Sequence, residues 1–278
     1  MKKQLLLLSA MLLITVHFSF AQGWTQLTSG TNQYFYNVQF PSLNIGFASS
    51  GGGLFKTTDA GSNWQNISAN VGVPCYFTNT QTGYGINVNG VVKTTDGGVN
   101  WTPLSFIPTQ PYMDMQFVND NIGYACGADN SQLTFMKTNN GGSIWTESIV
   151  PSVFANEPTI FFTSATTGFI ATTALILKTT DGGDNWTPDT LGTDQFDALD
   201  VWDIHFPTAD IGYACGMGAA SQIYKTTDAG ETWVGLNTDA FNTNPYSAIF
   251  FTSADTGFAA TGIQGFPESY IILKTVNG

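Results

Sequence analysis

Few side chains in this sequence could do chemistry. Beyond residue 21 it holds one histidine, His205, and three cysteines, Cys75, Cys126 and Cys215, and arginine is absent throughout. One histidine builds no His–Cys metal cluster and allows at most one Ser–His pairing. The glycine run at 51–53 reads as a hairpin turn, not a phosphate loop. Carboxylates remain. Asp114 and Asp203 could work as acid and base on a glycosidic bond if separated by about 5 to 9.5 Å, with Glu157 as a further candidate. The competing reading has both aspartates capping the start of a strand and facing water. The segment "TPDTLGTDQFDALDVWD" carries Asp189, Asp194, Asp197, Asp200 and Asp203. Its oxygens could hold Ca²⁺, but the D-x-D-x-D-G spacing of a calcium loop is missing, and a solvated acidic face is the preferred reading. Trp202, Asp200, Asp197 and His205 are candidate binding residues. Trp202 offers a flat face to a sugar or else belongs to the core; His205 reads as structural. The odd cysteine count precludes full pairing, and all three read as small buried apolar residues. No cofactor is expected.

These residues are positioned by a repeat. A turn followed by Trp recurs as "KTTDAGSNW" (56–64), "KTTDGGVNW" (93–101), "KTNNGGSIW" (137–145), "KTTDGGDNW" (178–186) and "KTTDAGETW" (225–233), and "KTVNG" (274–278) begins a sixth. Upstream of each stands Gly followed by Phe or Tyr: Gly46, Gly83, Gly123, Gly168, Gly212 and Gly257. Six residues before each of these glycines stands a Phe: Phe40, Phe77, Phe117, Phe162, Phe206 and Phe251. From Trp64 to Trp233 the period is about 42 residues, the size of a propeller blade. Within a unit, short β-rich runs broken by turn residues read as four strands, and no window supports a long amphipathic helix. The fold class is therefore all-β: a propeller of about six four-stranded blades, with seven as the alternative. Blades end near Trp64, Trp101, Trp145, Trp186 and Trp233. The stretch "GWTQLTSG", with Trp24, resembles a fourth strand and is expected to complete the last blade and close the ring. A piece of a longer chain is the rival reading.

The first residues, MKKQLLLLSAMLLITVHFSFAQ, read as a signal peptide. Lys2 and Lys3 form its basic end, an apolar run follows, and Ser19-Phe20-Ala21 is a cleavage site. Residues 1–21 are then removed and 22–278 form one propeller domain, exported to the periplasm, cell surface or medium, with no membrane insertion and expected as a monomer. The formal charge is −12, and loss of the two leader lysines takes it to −14. Such a surface excludes nucleic acid and anionic lipid as partners.

The repeated turn resembles the Asp-box (BNR) element, S/T-x-D-x-G-x-x-W. Asp59, Asp96, Asp181 and Asp228, with Asn140 in the third copy, match its acidic position. The whole blade looks most like the Ycf48/Hcf136 propeller family, and more distantly like sialidase, sortilin and xyloglucanase propellers. The resemblance implies a fold element rather than an activity, with the box acids structural. Sialidases hold their substrate's carboxylate with three arginines, so the absence of arginine excludes that activity. The basic patch of photosynthetic Ycf48 relatives is also missing, so their partner does not follow. The expected function is a non-catalytic module binding protein or glycan through the face that carries the long loops between strands four and one. The alternative is a carbohydrate-active enzyme using the carboxylates named above.

Overall fold

A computed structural model describes residues 35–278 except 69–70, 72–73, 88–89, 105–107, 109–110, 130–131, 151–156, 173–174, 190–199, 218–222, 237–244 and 262–271. Its strands form six antiparallel sheets, one per sequence repeat. Blade one holds β1 (Phe35–Gln39), β2 (Gly46–Ser50), β3 (Gly53–Thr57) and β4 (Gln65–Ser68). Blade two holds β5 (Cys75–Phe77), β6 (Gly83–Asn87), β7 (Gly90–Thr94) and β8 (Thr102–Pro103). Blade three holds β9 (Tyr112–Phe117), β10 (Gly123–Asp129), β11 (Gln132–Thr138) and β12 (Thr146–Val150). Blade four holds β13 (Thr159–Phe162), β14 (Gly168–Thr172), β15 (Leu175–Thr179) and β16 (Thr187–Asp189). Blade five holds β17 (Asp200–His205), β18 (Gly212–Met217), β19 (Ile223–Thr226) and β20 (Val234–Leu236). Blade six contributes β21 (Ala248–Phe251), β22 (Gly257–Ala260) and β23 (Ile272–Thr275). The sixth sheet has three strands, and the Trp24 segment expected to complete it lies outside the described residues.

The repeated marks turn out to be one packing device. The aligned Phe ends strand one and faces the repeated Gly on strand two, as Phe117 faces Gly123. Its ring lies flat on that glycine, where an added Cβ at Gly123 would sit 2.5 Å from the ring. The preceding blade's Phe or Tyr then stacks on the ring from the other side. Centroids are 3.4 Å apart for Phe47 and Phe77, 3.6 Å for Tyr124 and Phe162, and 3.5 Å for Tyr213 and Phe251. The blade's own Trp closes on the Phe edge-on, as Trp145 does on Phe117 at 5.8 Å. The core is thus divided among the junctions between blades, each an aromatic sandwich. Such pairs contribute beyond the apolar area they bury.

The lysines complete these junctions. Lys56 donates to the Gly97 carbonyl and Lys93 to the Gly141 carbonyl, each at 3.0 Å, and each reaches into the next blade's turn. Lys137 reaches Gly182 and Asp184, and Lys178 reaches Glu231. Five of the lysines lie over the aromatic ring of their own strand two. The turns themselves are held by their acids. In blade one, Asp59 accepts the Thr57 hydroxyl and the Asn63 N–H, both at 2.8 Å, and the Asn63 amide. Asn140 accepts the Ile144 N–H in the same way at 2.9 Å. Each turn also bonds the loop between strands one and two of its blade, as Gly97 N–H does with the Gln81 carbonyl. The boxes therefore lie on the face opposite the loops that join strand four to the next strand one.

Cys75, Cys126 and Cys215 are unpaired and buried, as the sequence implied. No helix among the described residues is long and apolar enough to cross a membrane.

Candidate functional site on the inner strands

The first strands of blades three and five carry the two candidate aspartates. Asp114 and Asp203 stand at equivalent places on β9 and β17. The Oδ1 of Asp114 accepts the Met115 N–H at 2.8 Å, and its Oδ2 accepts the Thr159 hydroxyl and the Ile160 N–H at 2.9 Å. Asp203 accepts the Ile204 N–H on Oδ1 at 2.9 Å and the Ile249 N–H on Oδ2 at 2.8 Å. Each carboxylate therefore ties its strand to the first strand of the following blade. Neither is simply a strand cap facing water, since each is half-buried and bonded across to the next blade.

Two residues further along, the same tie recurs with other chemistry. Gln39 brackets Phe77, accepting its N–H and donating to its carbonyl, both at 2.8 Å. Gln116 does the same to Phe162. His205 accepts the Phe251 N–H on Nδ1 at 3.4 Å and packs against Phe161 and Phe250. These polar ties come from blades one, three and five. Blades two, four and six carry Tyr76, Phe161 and Phe250 at that place; Tyr76 stacks on Phe117, and Phe161 packs at a tilt against Phe206. Polar clasps and aromatic contacts thus alternate around the ring.

The alternation extends to the backbone. On β1, Phe35 pairs with Ser50 and Asn37 with Ser49, leaving Tyr36 unpaired. On β9, Tyr112 pairs with Gly127 and Asp114 with Cys126, leaving Met113 out. On β17, Val201 pairs with Gly216 and Asp203 with Cys215, leaving Trp202 out. These are β-bulges, which bend a strand and re-aim a side chain. Strands β5, β13 and β21 pair without one. Glycine makes room for the bulge, because a Cβ at Gly127 would fall 2.1 Å from the Pro111 carbonyl oxygen, and one at Gly216 would fall 1.8 Å from that of Asp200. Both stretches read "GYACG" (123–127 and 212–216), and the final glycine of each is the sequence signal that marks the bulge.

Burial governs the electrostatics. It pushes the Asp203 carboxyl up to about 7, against the pull of the Ile249 N–H, and Asp114 adds to the rise. Asp114 is raised for the same reason, and burial lowers His205 to about 4. In the turns the sign reverses. Hydrogen bonds from Asn63 hold Asp59 low, and those from Asn100, Asn185 and Thr232 bring Asp96, Asp181 and Asp228 down to about 2.

The other candidates are dispersed. Trp202 is half-buried at its bulge and Asp200 half-buried at the start of β17; Glu157 is exposed, with φ of 50°, before Pro158. Asp194 and Asp197 lie outside the described residues. Among the described residues no group of three or more His, Cys, Asp or Glu is placed to hold a metal ion.

No family model and no curated protein matches this sequence. Solved structures do. A structure titled YCF48 bound to D1 peptide aligns over 91% of this chain and 94% of its own, with TM-score 0.52 at 16% identity. The chain has the Ycf48-type propeller fold. The same propeller matches a GH74 xyloglucanase from Xanthomonas campestris, with TM-score 0.61 at 11% identity, over 84% of this chain and 46% of that one. It also matches the extracellular domain assigned to a one-component system of B. thetaiotaomicron, with TM-score 0.64 at 13% identity, over 90% of this chain and 35% of that one. At these identities the likeness is one of fold.

Proposed function

We propose that this chain is an exported, non-catalytic propeller that binds a protein or glycan through the face carrying the loops from strand four to strand one. The observation that carries the reading is the engagement of Asp114 and Asp203. Their oxygens accept backbone N–H groups of the next blade, which leaves them poorly placed to exchange protons with a substrate. A propeller of the same fold has been solved with a peptide bound. The export half of the reading rests on the leader-like residues 1–21, and a neighbour of this fold is an extracellular domain. N-terminal sequencing of protein secreted by a bacterial host is expected to begin at Gln22; a mature chain starting at Met1 would refute export by cleavage.

A second reading is a glycoside hydrolase using Asp203 with Asp114 or Glu157. It is favoured by the raised proton affinity of Asp203, which suits a general acid near neutrality, and by the xyloglucanase of like fold. A polysaccharide panel assayed for bound protein and for new reducing ends decides between them. Binding without cleavage, or no response to glycans at all, is expected. New reducing ends that disappear in Asp203→Asn would establish the hydrolase.

A further inference from the structure

A cavity of about 260 Å³ opens at the box end of the ring, between blades three and four. Its walls include Ile122, Asn139, Asn140, Ile144 and Thr146 of blade three and Asp181 of blade four. The repeat supplies its own comparison. The other complete boxes carry Thr-Asp where the third has Asn139 and Asn140, as in Thr58-Asp59 and Thr95-Asp96. At the place of Ile144 they carry Asn63, Asn100, Asn185 and Thr232. The third copy departs at all three positions, and all three line the cavity. In the other copies the second carboxylate oxygen accepts a side-chain bond from the residue four places on, at 2.6–2.7 Å. Asn140 keeps the Thr138 hydroxyl and the Ile144 N–H on Oδ1, but the Ile144 side chain has nothing to donate. The Asn140 Nδ2 is therefore left without a hydrogen-bond partner among the described residues. Ile144 itself is 67% exposed. A turn that gives up a side-chain bond and turns an isoleucine to water holds the fold less well than its siblings, so these residues answer to something besides the fold.

The charged groups at the rim are already engaged. Lys137 donates to the Gly182 carbonyl and pairs with Asp184. Asp181 accepts the Thr179 hydroxyl, the Asn185 N–H and the Asn185 amide. An anionic ligand would meet Asp181, which these bonds keep ionised, and a cationic one would meet Lys137. The rest of the named wall is neutral: two carboxamides and a hydroxyl beside two isoleucines. A carboxamide both donates and accepts, as a sugar hydroxyl does, and aliphatic side chains suit the C–H face of a sugar ring. The volume lies below the about 300–1,000 Å³ of a pocket for a drug-sized molecule and suits a single ring.

We propose that this cavity binds one unit of a neutral saccharide, with the Asn139 and Asn140 carboxamides holding its hydroxyl groups and Ile122 and Ile144 covering its apolar face. The site lies on the face opposite the long loops and is additional to the surface proposed above. The test is a nuclear magnetic resonance titration with the methyl glycosides of glucose, galactose, mannose and N-acetylglucosamine and with neutral oligosaccharides containing them. At least one is expected to bind and to shift the side-chain amide signals of Asn139 and Asn140. The main variant is Asn140→Asp/Ile144→Asn, which gives the third box the residues of its siblings. It restores the side-chain bond of the turn, so its thermal midpoint is expected at or above that of the wild type, while sugar binding weakens by about tenfold or more. Asn139→Ala, at an exposed position, is expected to weaken binding by about threefold and to leave the midpoint unchanged. Thr232→Ile, in the box of blade five, is the control and is expected to bind like the wild type. Failure of every sugar to bind overturns the inference and leaves the long-loop reading standing. Tighter binding of glucuronate or glucosamine than of the neutral sugars overturns it, as does binding that survives the double variant. Sugar binding that Trp202→Ala abolishes and the box variants leave intact overturns it too, in favour of the long-loop face.

Discussion

Asp203 holds the clearest pH-dependent term in the molecule. Its folded-state value of about 7 lies above that of an unfolded aspartate, about 3.9. Between those values the folded chain binds more protons than the unfolded one, so its contribution falls as pH rises and levels off above 7. Relative to Asp203→Asn, the wild type is expected to lose on the order of 2 kcal/mol between pH 5 and pH 8 in urea unfolding. A pH-independent difference between the two would show that the carboxyl is not desolvated in the folded state. The turn acids act in the opposite sense. Asp96, Asp181 and Asp228 are depressed to about 2, so their contribution is present above about pH 4 and is lost as pH falls towards 2. At this scale the sequence was legible where an interaction is local. Asp59 and its counterparts accept N–H groups only four residues along the same turn. The position of Asp114 was legible, but the surface it faces was not, because that surface is Ile160, distant in sequence.

Strands carry the next level of information. Four strands per blade, as seen in five of the six, follow from short apolar runs and the Gly and Trp marks, since each hairpin is a local affair. The bulges did not follow, because a skipped residue appears only when two strands are paired. In blades three and five the bulge faces a glycine, where blade one has Ser50, and this gives a sharp expectation: Gly216→Ala brings a Cβ to 1.8 Å from the Asp200 carbonyl oxygen and must displace β17. It is expected to lower stability by about 2–4 kcal/mol and to disturb the Asp203 tie, which would be visible as a changed pH profile. A loss below about 0.5 kcal/mol would mean that β17 relaxes freely. The junction hydrogen bonds are smaller effects. Tyr124→Phe removes the bond to the Ala165 carbonyl and is expected to cost about 1 kcal/mol by the same measurement.

Across the whole molecule, the junctions are not equal. The aligned Phe is no more than 6% exposed in blades two to six, but Phe40 is 45% exposed, and Phe250 on blade six is 57% exposed. Phe162→Ala is therefore expected to cost about 3–5 kcal/mol, and Phe40→Ala about 1 kcal/mol, following its smaller buried area. Equal costs, measured by thermal or urea unfolding, would show that blade one is packed as tightly as the rest. The opposing pH terms also combine at this scale. Turn acids weaken the fold below about pH 4; between about pH 4 and 6.5 the falling contribution of Asp203 is opposed by the rising contribution of His205, so stability is expected to change little there and to fall only below about pH 4.

The alternation of clasp and aromatic contact has a consequence for how such a ring arose and how it could be rebuilt. Neighbouring blades differ, but every second blade repeats the same bulge and the same backbone tie. The unit that recurs is then a pair of blades, and the ring approximates three copies of it about a threefold axis. A blade made identical to its neighbour would set two clasps or two aromatic rings at successive junctions. A fragment spanning blades three and four, residues 112–189, keeps its clasp inside and presents Phe161 at one edge and, at the other, the Phe117 face that takes the equivalent contact from Tyr76. Expressed alone, it has the complementary edges needed to assemble as a homotrimer, whereas a fragment spanning three blades cannot close on copies of itself without placing like against like.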